Sequence, residues 1–513
     1  MNTRKIIKYV HQCRWCDFKN EIEEDKVSRL NLTALCFDDN KKVFIVGSAE
    51  FTNHQKPKFF SMPLAIKDLA PDDGVKHIED GGKYYTDALV EPDFWQAFTK
   101  LLQDNNGKIV FPNGMSLESK TIGDVDMFLE LPDEPSKALG VEQSNTTLKV
   151  GDGKLAFKLE RMLDFAPELN SEFDMNEKLM REDVDFMPKS FGGLIWRMPD
   201  GREASGGIVQ EFVKNKGDMW NYLQETIQKR LAINYLRQKD LTAEDNQDVM
   251  ALIRTLSDRT KEMNATLARD DDNAGFTPMP VDDEFIDNYE KALSTLLLET
   301  RHEIIAHKDK LEGEAEENAS KLLRNWDEFT TGFIAPRLKQ IREAEDKGMI
   351  HRVHGDYHLG QVMITPDDDV KIIDFGGEPA LSMNARKQKY ISVRDIAGMY
   401  RSIQGYLGTV AVEEYAKKAP SDEVKQERKA WGQKAIKPLI DRASAAFLGE
   451  HKLSDPWLSL EILRKNLYEV KYEVAERQEM AYAPIKGLMD LFATPTPTPA
   501  NENTYQSQLG RVD

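Results

Sequence analysis

Apolar and polar positions alternate with period two through the first 85 or so residues, in runs such as TALCF and KVFIVGSAEF. Turn clusters, DDNKK and PDDGV, separate them, and the combination predicts a small β-rich unit. From Glu91 to about Leu131 a helical stretch, PDFWQAFTKLLQ, is mixed with KIVF and DMFLEL, and ELPDEPS closes the segment. TTLKVGD and GKLAFKLE then read as two strands joined by a Gly-Asp-Gly turn, followed by a helical SEFDMNEKLMRE. GGIVQEFV, Gly206 to Val213, reads as a buried strand that runs into a Lys/Asn/Gly loop.

Almost everything from Asp218 to Gly348 has helical phase. Charged stretches such as HKDKLEGEAEENASKLLRN place Leu at helical spacing, which predicts solvated helix faces, with a coiled coil as the weaker alternative. VMIT and VKIIDF predict a short hairpin across the turn PDDD. Beyond Leu491 the run ATPTPTPANENTYQSQ has few apolar residues and predicts a disordered tail. The expected parts are therefore a cap (1–88), an intermediate unit with an ATP-binding hairpin (89–213), a helical lobe (214–490) and the tail (491–513). No repeat at a fixed period is visible.

The chain has 513 residues, too many for one ordinary core, and 88 acidic against 69 basic residues give a net charge of −19. That charge opposes nonspecific binding to nucleic acid or anionic membrane, so neither is expected as a partner. The basic N-terminus has no long apolar stretch and no run of about 18 apolar residues occurs, which makes the cytoplasm the default location. Cys13 and Cys16 form a CxxC, yet neither further zinc ligands at matching spacing nor a βαβ context accompanies it, and Cys36 stands alone.

The chemistry is concentrated in HGDYHLGQVMITPDDDVKIIDF, His354 to Phe375. Asp356 lies in a His-rich loop and Asp374 ends an apolar strand. Phosphoryl transfer needs one carboxylate to orient and deprotonate the acceptor hydroxyl and another, on a rigid strand end, to hold magnesium. Asp356 suits the first role and Asp374 the second. Gln361 stands five residues after Asp356, where protein kinases place a metal-binding Asn. The same His-Asp-His cluster could also be a turn with satisfied histidines or a metal site.

ATP also needs a cation on its α- and β-phosphates, steadied by an acid on the following helix. Lys158 in LAFKLE is the candidate, with Glu172 or Asp174 as its partner, although a lysine in an amphipathic strand fits a solvent-facing role equally well. Ser144, Asn145 and Thr146 in EQSNTT offer small polar side chains and backbone amides to the phosphates, without the glycines of a G-x-G-x-x-G loop. Gln210, Glu211 and Val213 would form the hinge that meets adenine, as the end of any buried strand could. Near the C-terminus, LRKNLYEVKYEVAER sets Lys465, Tyr468 and Tyr472 on one helix face, which suits a carbohydrate or, equally, a Tyr-rich helix packing on its lobe.

These residues together resemble the maltokinases, including the maltokinase-like domains fused to trehalose synthase, within the eukaryotic-like kinase and aminoglycoside phosphotransferase superfamily. The resemblance rests on HGDYHLGQV, IIDFGGEPA, SVRDIAGMYRSI, EQSNTT, LAFKLE, VQEFVKNKGDMW and the helix of Lys465, Tyr468 and Tyr472. Arg14, Trp15 and Lys19 echo an N-terminal R-W-x-x-x-K. It implies an α+β, bilobal protein-kinase-like fold with an extra N-terminal β-rich cap and a mostly helical C-lobe. It also implies phosphorylation of the anomeric hydroxyl of maltose by ATP with Mg2+, to give maltose 1-phosphate.

By the same resemblance Asp356 is the base, Gln361 and Asp374 are metal ligands, and Lys158 is the phosphate cation. His358, Glu378, Lys465, Tyr468, Tyr472 and Arg477 line the sugar, and Asp395 props the catalytic loop. The chain departs from the family at Gly376, where D-F-E-G-E-P is usual, and in RQEMAYAPI, where R-P-x-W is usual and Tyr482 stands nearby. Two alternatives remain open: a kinase of another sugar, an amino sugar such as glucosamine or an aminoglycoside, and a degenerate nucleotide-binding partner of trehalose synthase.

Overall fold

The computed structural model describes residues 3–16, 18, 22, 26–52, 56–123, 128, 133–139, 145–167, 171–378 and 381–493. Ser144, Lys19 and residues 494–513 of the expected tail lie outside them. The chain divides into two compact units, Met1–Lys214 with Ala380–Arg386, and Asn215–Pro379 with Lys387–Asp513. The first is rich in β-structure and the second largely helical, which is the α+β class expected.

In the first unit, helix α1 (Thr3–Gln12) precedes a sheet built on β1 (Val27–Phe37), β2 (Lys42–Phe51) and β3 (Lys58–Lys67), all antiparallel. A second, seven-stranded sheet contains β4 (Asn145–Val150), β5 (Leu155–Glu160), β6 (Ser190–Arg197) and β7 (Glu203–Glu211), with β5 between β4 and β7. The two sheets share one core. Helix α2 (Phe94–Asp104) supplies Phe94, Trp95, Phe98 and Leu102, all fully buried, and Phe44 of β2 meets Trp196 of β6 at a ring separation of 5.7 Å. Residue 88, the expected edge of the cap, thus falls within one continuous apolar core rather than at a break in packing.

Gly207 of β7 is required where that strand crosses β5, because a Cβ there would stand 2.4 Å from the carbonyl oxygen of Lys158. Helix α3 (Ser171–Arg181) follows the hairpin of β4 and β5, as its sequence predicts.

The second unit carries the expected hairpin, β8 (Val362–Ile364) paired with β9 (Val370–Ile372). Its turn is closed by the Thr365 hydroxyl on Asp367 at 2.6 Å and the Thr365 amide on the Asp369 carbonyl at 2.9 Å. Arg259 of helix α4 (Gln247–Leu267) grips Asp369 with Nε at 3.0 Å and with Nη2. Around it stand α5 (Val393–Arg401), α6 (Asp422–Leu448), α7 (Pro456–Glu476) and α8 (Tyr482–Phe492). Helix α8 includes Leu491 and Phe492, which corrects the expected start of the tail: Phe492 packs on Phe329 and Phe333 at ring separations of 5.6 and 5.7 Å. Among the described residues no helix is long and apolar enough to cross a membrane.

The Arg259 guanidinium holds the Asp369 carboxyl below its usual pKa. Folding therefore favours the ionised form, and the contribution is complete above about pH 4 and fades as the pH drops through the lowered value. Asp369→Asn is expected to cost about 1 kcal/mol at neutral pH. Urea unfolding of both proteins as a function of pH checks this, with the two stabilities converging in acid.

Candidate active site

In the first unit the apolar face of β5, Leu155, Phe157 and Leu159, is buried in the core, and period-two alternation turns Ala156, Lys158 and Glu160 to the other face. Lys158 reaches Glu172, in the first turn of α3, with Nζ at 3.1 and 3.2 Å from the two carboxylate oxygens. Of the two acids proposed from sequence, Glu172 makes this pair. An acid in a first turn is also favoured by the helix dipole.

The expected phosphate and hinge residues divide. Asn145 opens β4, but the Thr146 side chain is buried and its hydroxyl accepts a hydrogen bond at 3.2 Å from Arg161 Nε. It therefore faces the interior, which corrects its placement on the phosphates. Gln210 likewise spends its side-chain amide on Asn176 at 2.9 Å and Ser190 at 2.8 Å, and the Glu211 amide is taken by the Lys189 carbonyl at 2.8 Å. Asp174 and Val213 make their own contacts within the protein.

In the second unit the loop bearing Asp356 is held from beneath. The buried Asp395 of α5 accepts the backbone N–H groups of His354 at 2.8 Å and Gly355 at 2.9 Å. Gly355 has φ +87°, and a Cβ on it would lie 3.2 Å from the Cα of Gly377, so the loop passes against the segment that follows Phe375. His354 is fully buried, and its Nε2 lies 2.9 Å from the carbonyl of Ile373, which can only accept. The ring is therefore the Nε2–H tautomer, and Nδ1 accepts the Asp356 amide at 3.4 Å. One imidazole thus ties the backbone of Asp356 to the residue immediately before Asp374.

Asp374 itself has φ +66°, the left-handed region that aspartate tolerates better than most side chains. Its Oδ2 lies 3.4 Å from the side-chain amide of Gln361, whose backbone is fixed by Ile373 N–H on its carbonyl at 3.0 Å. A carboxylate and an amide oxygen are hard donors. Magnesium is held by one or two protein oxygens with water and phosphate completing its shell, so these two residues suit it once the amide turns its oxygen inward.

Asp356 has its charge faced from two sides. Lys465 of α7 places Nζ 3.4 Å from Oδ1, and His358 Nε2 lies 3.8 Å from Oδ2. The Gly360 amide donates to His358 Nδ1 at 3.0 Å, leaving the ring proton on the nitrogen toward Asp356. Loss of water around the ring lowers its pKa below the usual imidazole value, against the pull of Asp356. Lys465 also stands 5.2 Å over the Tyr468 ring, and Arg477 stands 5.1 Å over Tyr472, so the expected stripe exists as two cation–aromatic pairs. Desolvation, with Glu378 and Asp356 nearby, raises the Tyr468 pKa and keeps its phenol protonated.

Glu378 is not exposed to an acceptor. Only 3% of it is accessible, and Arg394 and Arg464 each approach Oε2 to 3.8 Å. Its expected place on the sugar is corrected to a buried charge cluster that joins the segment after Phe375 to α7. Sequence reasoning missed this cluster and the pair between Arg401 and Glu469, with nitrogens at 2.8 and 3.0 Å. For that second pair a signal existed: Arg401 lies in SVRDIAGMYRSI and Glu469 beside Tyr468, both inside the quoted motifs.

Asp395→Ala would leave two loop amides without their charged acceptor, at about 1–3 kcal/mol each. We expect thermal unfolding to show a loss of about 3 kcal/mol, with a smaller loss for Asp395→Asn, which keeps one acceptor oxygen.

No family model matches the chain. Among solved structures it is similar to glucosamine kinase in its crystal form B, with TM-score 0.55 and 19% identity over 92% of this chain and 95% of that one. It is also similar to glucosamine kinase in complex with glucosamine, ADP and inorganic phosphate, with TM-score 0.52 and 18% identity over 91% of this chain and 94% of that one. The chain shares the fold of these kinases.

Proposed function

We propose that the protein is an ATP-dependent sugar kinase that transfers the γ-phosphoryl group to the anomeric hydroxyl of maltose, giving maltose 1-phosphate and ADP. The observation that carries this reading is the joint fixing of Asp356 and Asp374 by one buried histidine, His354, with Lys465 brought onto Asp356. A carboxylate so placed can align an acceptor hydroxyl and take its proton as the oxygen bonds to phosphorus and the bond to the ADP oxygen breaks. Lys465 neutralises part of the Asp356 charge before the acceptor arrives and offers a hydrogen bond to a sugar oxygen.

Lys158, kept extended by Glu172, is the cation for the α- and β-phosphates. Asp374 and Gln361 would hold Mg2+, which supplies charge neutralisation on the β- and γ-phosphates. Tyr468, protonated, and Tyr472, half exposed, give the acceptor a hydroxyl and an aromatic face.

A neutral acceptor suits the surrounding charge better than an amino sugar. An ammonium group needs an accessible carboxylate, whereas Glu469 is paired with Arg401, Glu473 engages Arg477 through one oxygen at 2.5 Å, and Glu378 is almost wholly buried with two arginines 3.8 Å away. Asp356 carries Lys465 against it, which repels a second cation. The likeness of fold to glucosamine kinase makes glucosamine the necessary comparison.

ADP release measured over a panel of neutral and amino sugars is expected to be fastest with maltose, by at least about tenfold over glucosamine, a difference of about 1.4 kcal/mol. Preference for glucosamine would overturn the choice of acceptor, and equal background release with every sugar would overturn the kinase reading. In the same assay Asp356→Asn is expected to lower turnover by about 10²-fold or more with its melting temperature retained.

A further inference from the structure

A cavity of about 350 Å³ opens among helices of the second unit, and its lining does not include Asp356, Asp374 or Lys465. That volume lies at the lower end of the roughly 300–1,000 Å³ range of small-molecule sites. Its wall includes a π-helical turn, Ser402–Leu407, between α5 and the helix that follows it, and such turns concentrate at functional positions. We propose that this cavity is a second carbohydrate site, taking a neutral sugar of mono- or disaccharide size.

The lining argues for that class of ligand. Most of its charges are paired: Lys437 with Asp441 on α6, Lys486 with Asp490 on α8 at 2.5 Å, and Arg401 with Glu469 at 2.8 Å, while Arg337 adds a fourth cation that gives Nη1 to the Phe333 carbonyl at 2.8 Å. What these groups present is a set of fixed donors and acceptors that sugar hydroxyl groups can meet. Gln404 adds an amide that accepts from Ser444 at 2.7 Å and reaches Asp441 only at 3.4 Å, leaving hydrogen-bonding capacity for a ligand. Tyr400 and Tyr482 bring aromatic faces, and Ile440 an apolar patch for the C–H side of a ring.

Behind this wall lies a buried amide side chain. Asn466 is completely buried, and neither its amide oxygen nor its amide nitrogen has a partner. Its Nδ2 lies 2.8 Å from where a Cβ on Gly487 would stand, and Gly487 lines the cavity.

The site is joined to the proposed chemistry at the N-terminal end of the π turn. Ser402 Oγ accepts the Leu359 amide at 3.2 Å, at the start of the short turn that carries Gln361. Arg401, in the cavity wall, holds Glu469, about one turn along α7 from Lys465. The binding claim itself stands apart from the kinase reading and rests on it only for the consequence in turnover.

The test is equilibrium binding of radiolabelled maltose, and separately of glucose, to the full chain. Two equivalents of at least one sugar are expected per wild-type chain. Thr409→Trp, which fills the cavity, is expected to bind one equivalent with unchanged melting temperature, and Gln404→Leu, which keeps the volume and removes the amide, to weaken the second equivalent at least tenfold. Should Thr409→Trp fail to fold, Gln404→Leu carries the test. Wild-type binding of both sugars that neither variant lowers or weakens, or preferential uptake of inorganic phosphate in the cavity, would each overturn the proposal. Because binding is read without ATP, failure here leaves the sugar-panel result for the kinase untouched.

Discussion

Two hydrogen bonds from the backbone of His354 and Gly355 to the carboxylate of Asp395 set the geometry on which the candidate chemistry depends. A buried carboxylate is stable only when its lone pairs are met, and here the amides of a tight loop meet them. The loop cannot drift without stranding that charge. From this fixed base His354 spans to Ile373, so the strand end that turns out Asp374 is registered against Asp356 through one ring. The left-handed Asp374 is a strain that the surrounding packing sustains, and such strain gathers where side chains must be aimed.

Helix α7 is the second element held to this base. Lys465 reaches Asp356, Arg464 approaches the buried Glu378, and Glu469 takes Arg401 from α5. Buried ion pairs often contribute little net stability, because desolvation consumes most of the Coulombic gain. Their effect here is registry: three charged contacts along one helix fix which residues face Asp356. The same contacts draw on acids that an amino sugar could otherwise use, and the proposed preference for a neutral acceptor rests on that packing.

Much of this was legible in the sequence wherever the determining contacts are local. The hairpin of VMIT and VKIIDF follows from alternation and the PDDD turn, and the exposed face of β5 follows from Leu155, Phe157 and Leu159. The partner of Lys158 was narrowed to two acids, and only the phase of α3 against the sheet selects Glu172. Contacts set by tertiary packing were not readable. Glu378 was placed on the acceptor by resemblance alone, whereas its environment comes from Arg394 and Arg464. Thr146 looked like a phosphate contact because it follows a polar run, and β4 pairing turns it onto Arg161. The π turn has no compositional signature, and no pattern of residues announced it.

The central claim is that Asp356 directs the γ-phosphoryl group onto an anomeric oxygen. Phosphorus NMR of the product formed from ATP and maltose tests it most directly. The account predicts a new phosphate monoester signal split by the anomeric proton, formed by the wild type and absent with Asp356→Asn over the same period. A phosphate attached elsewhere on the sugar, release of inorganic phosphate alone, or an undiminished anomeric signal in Asp356→Asn would contradict it.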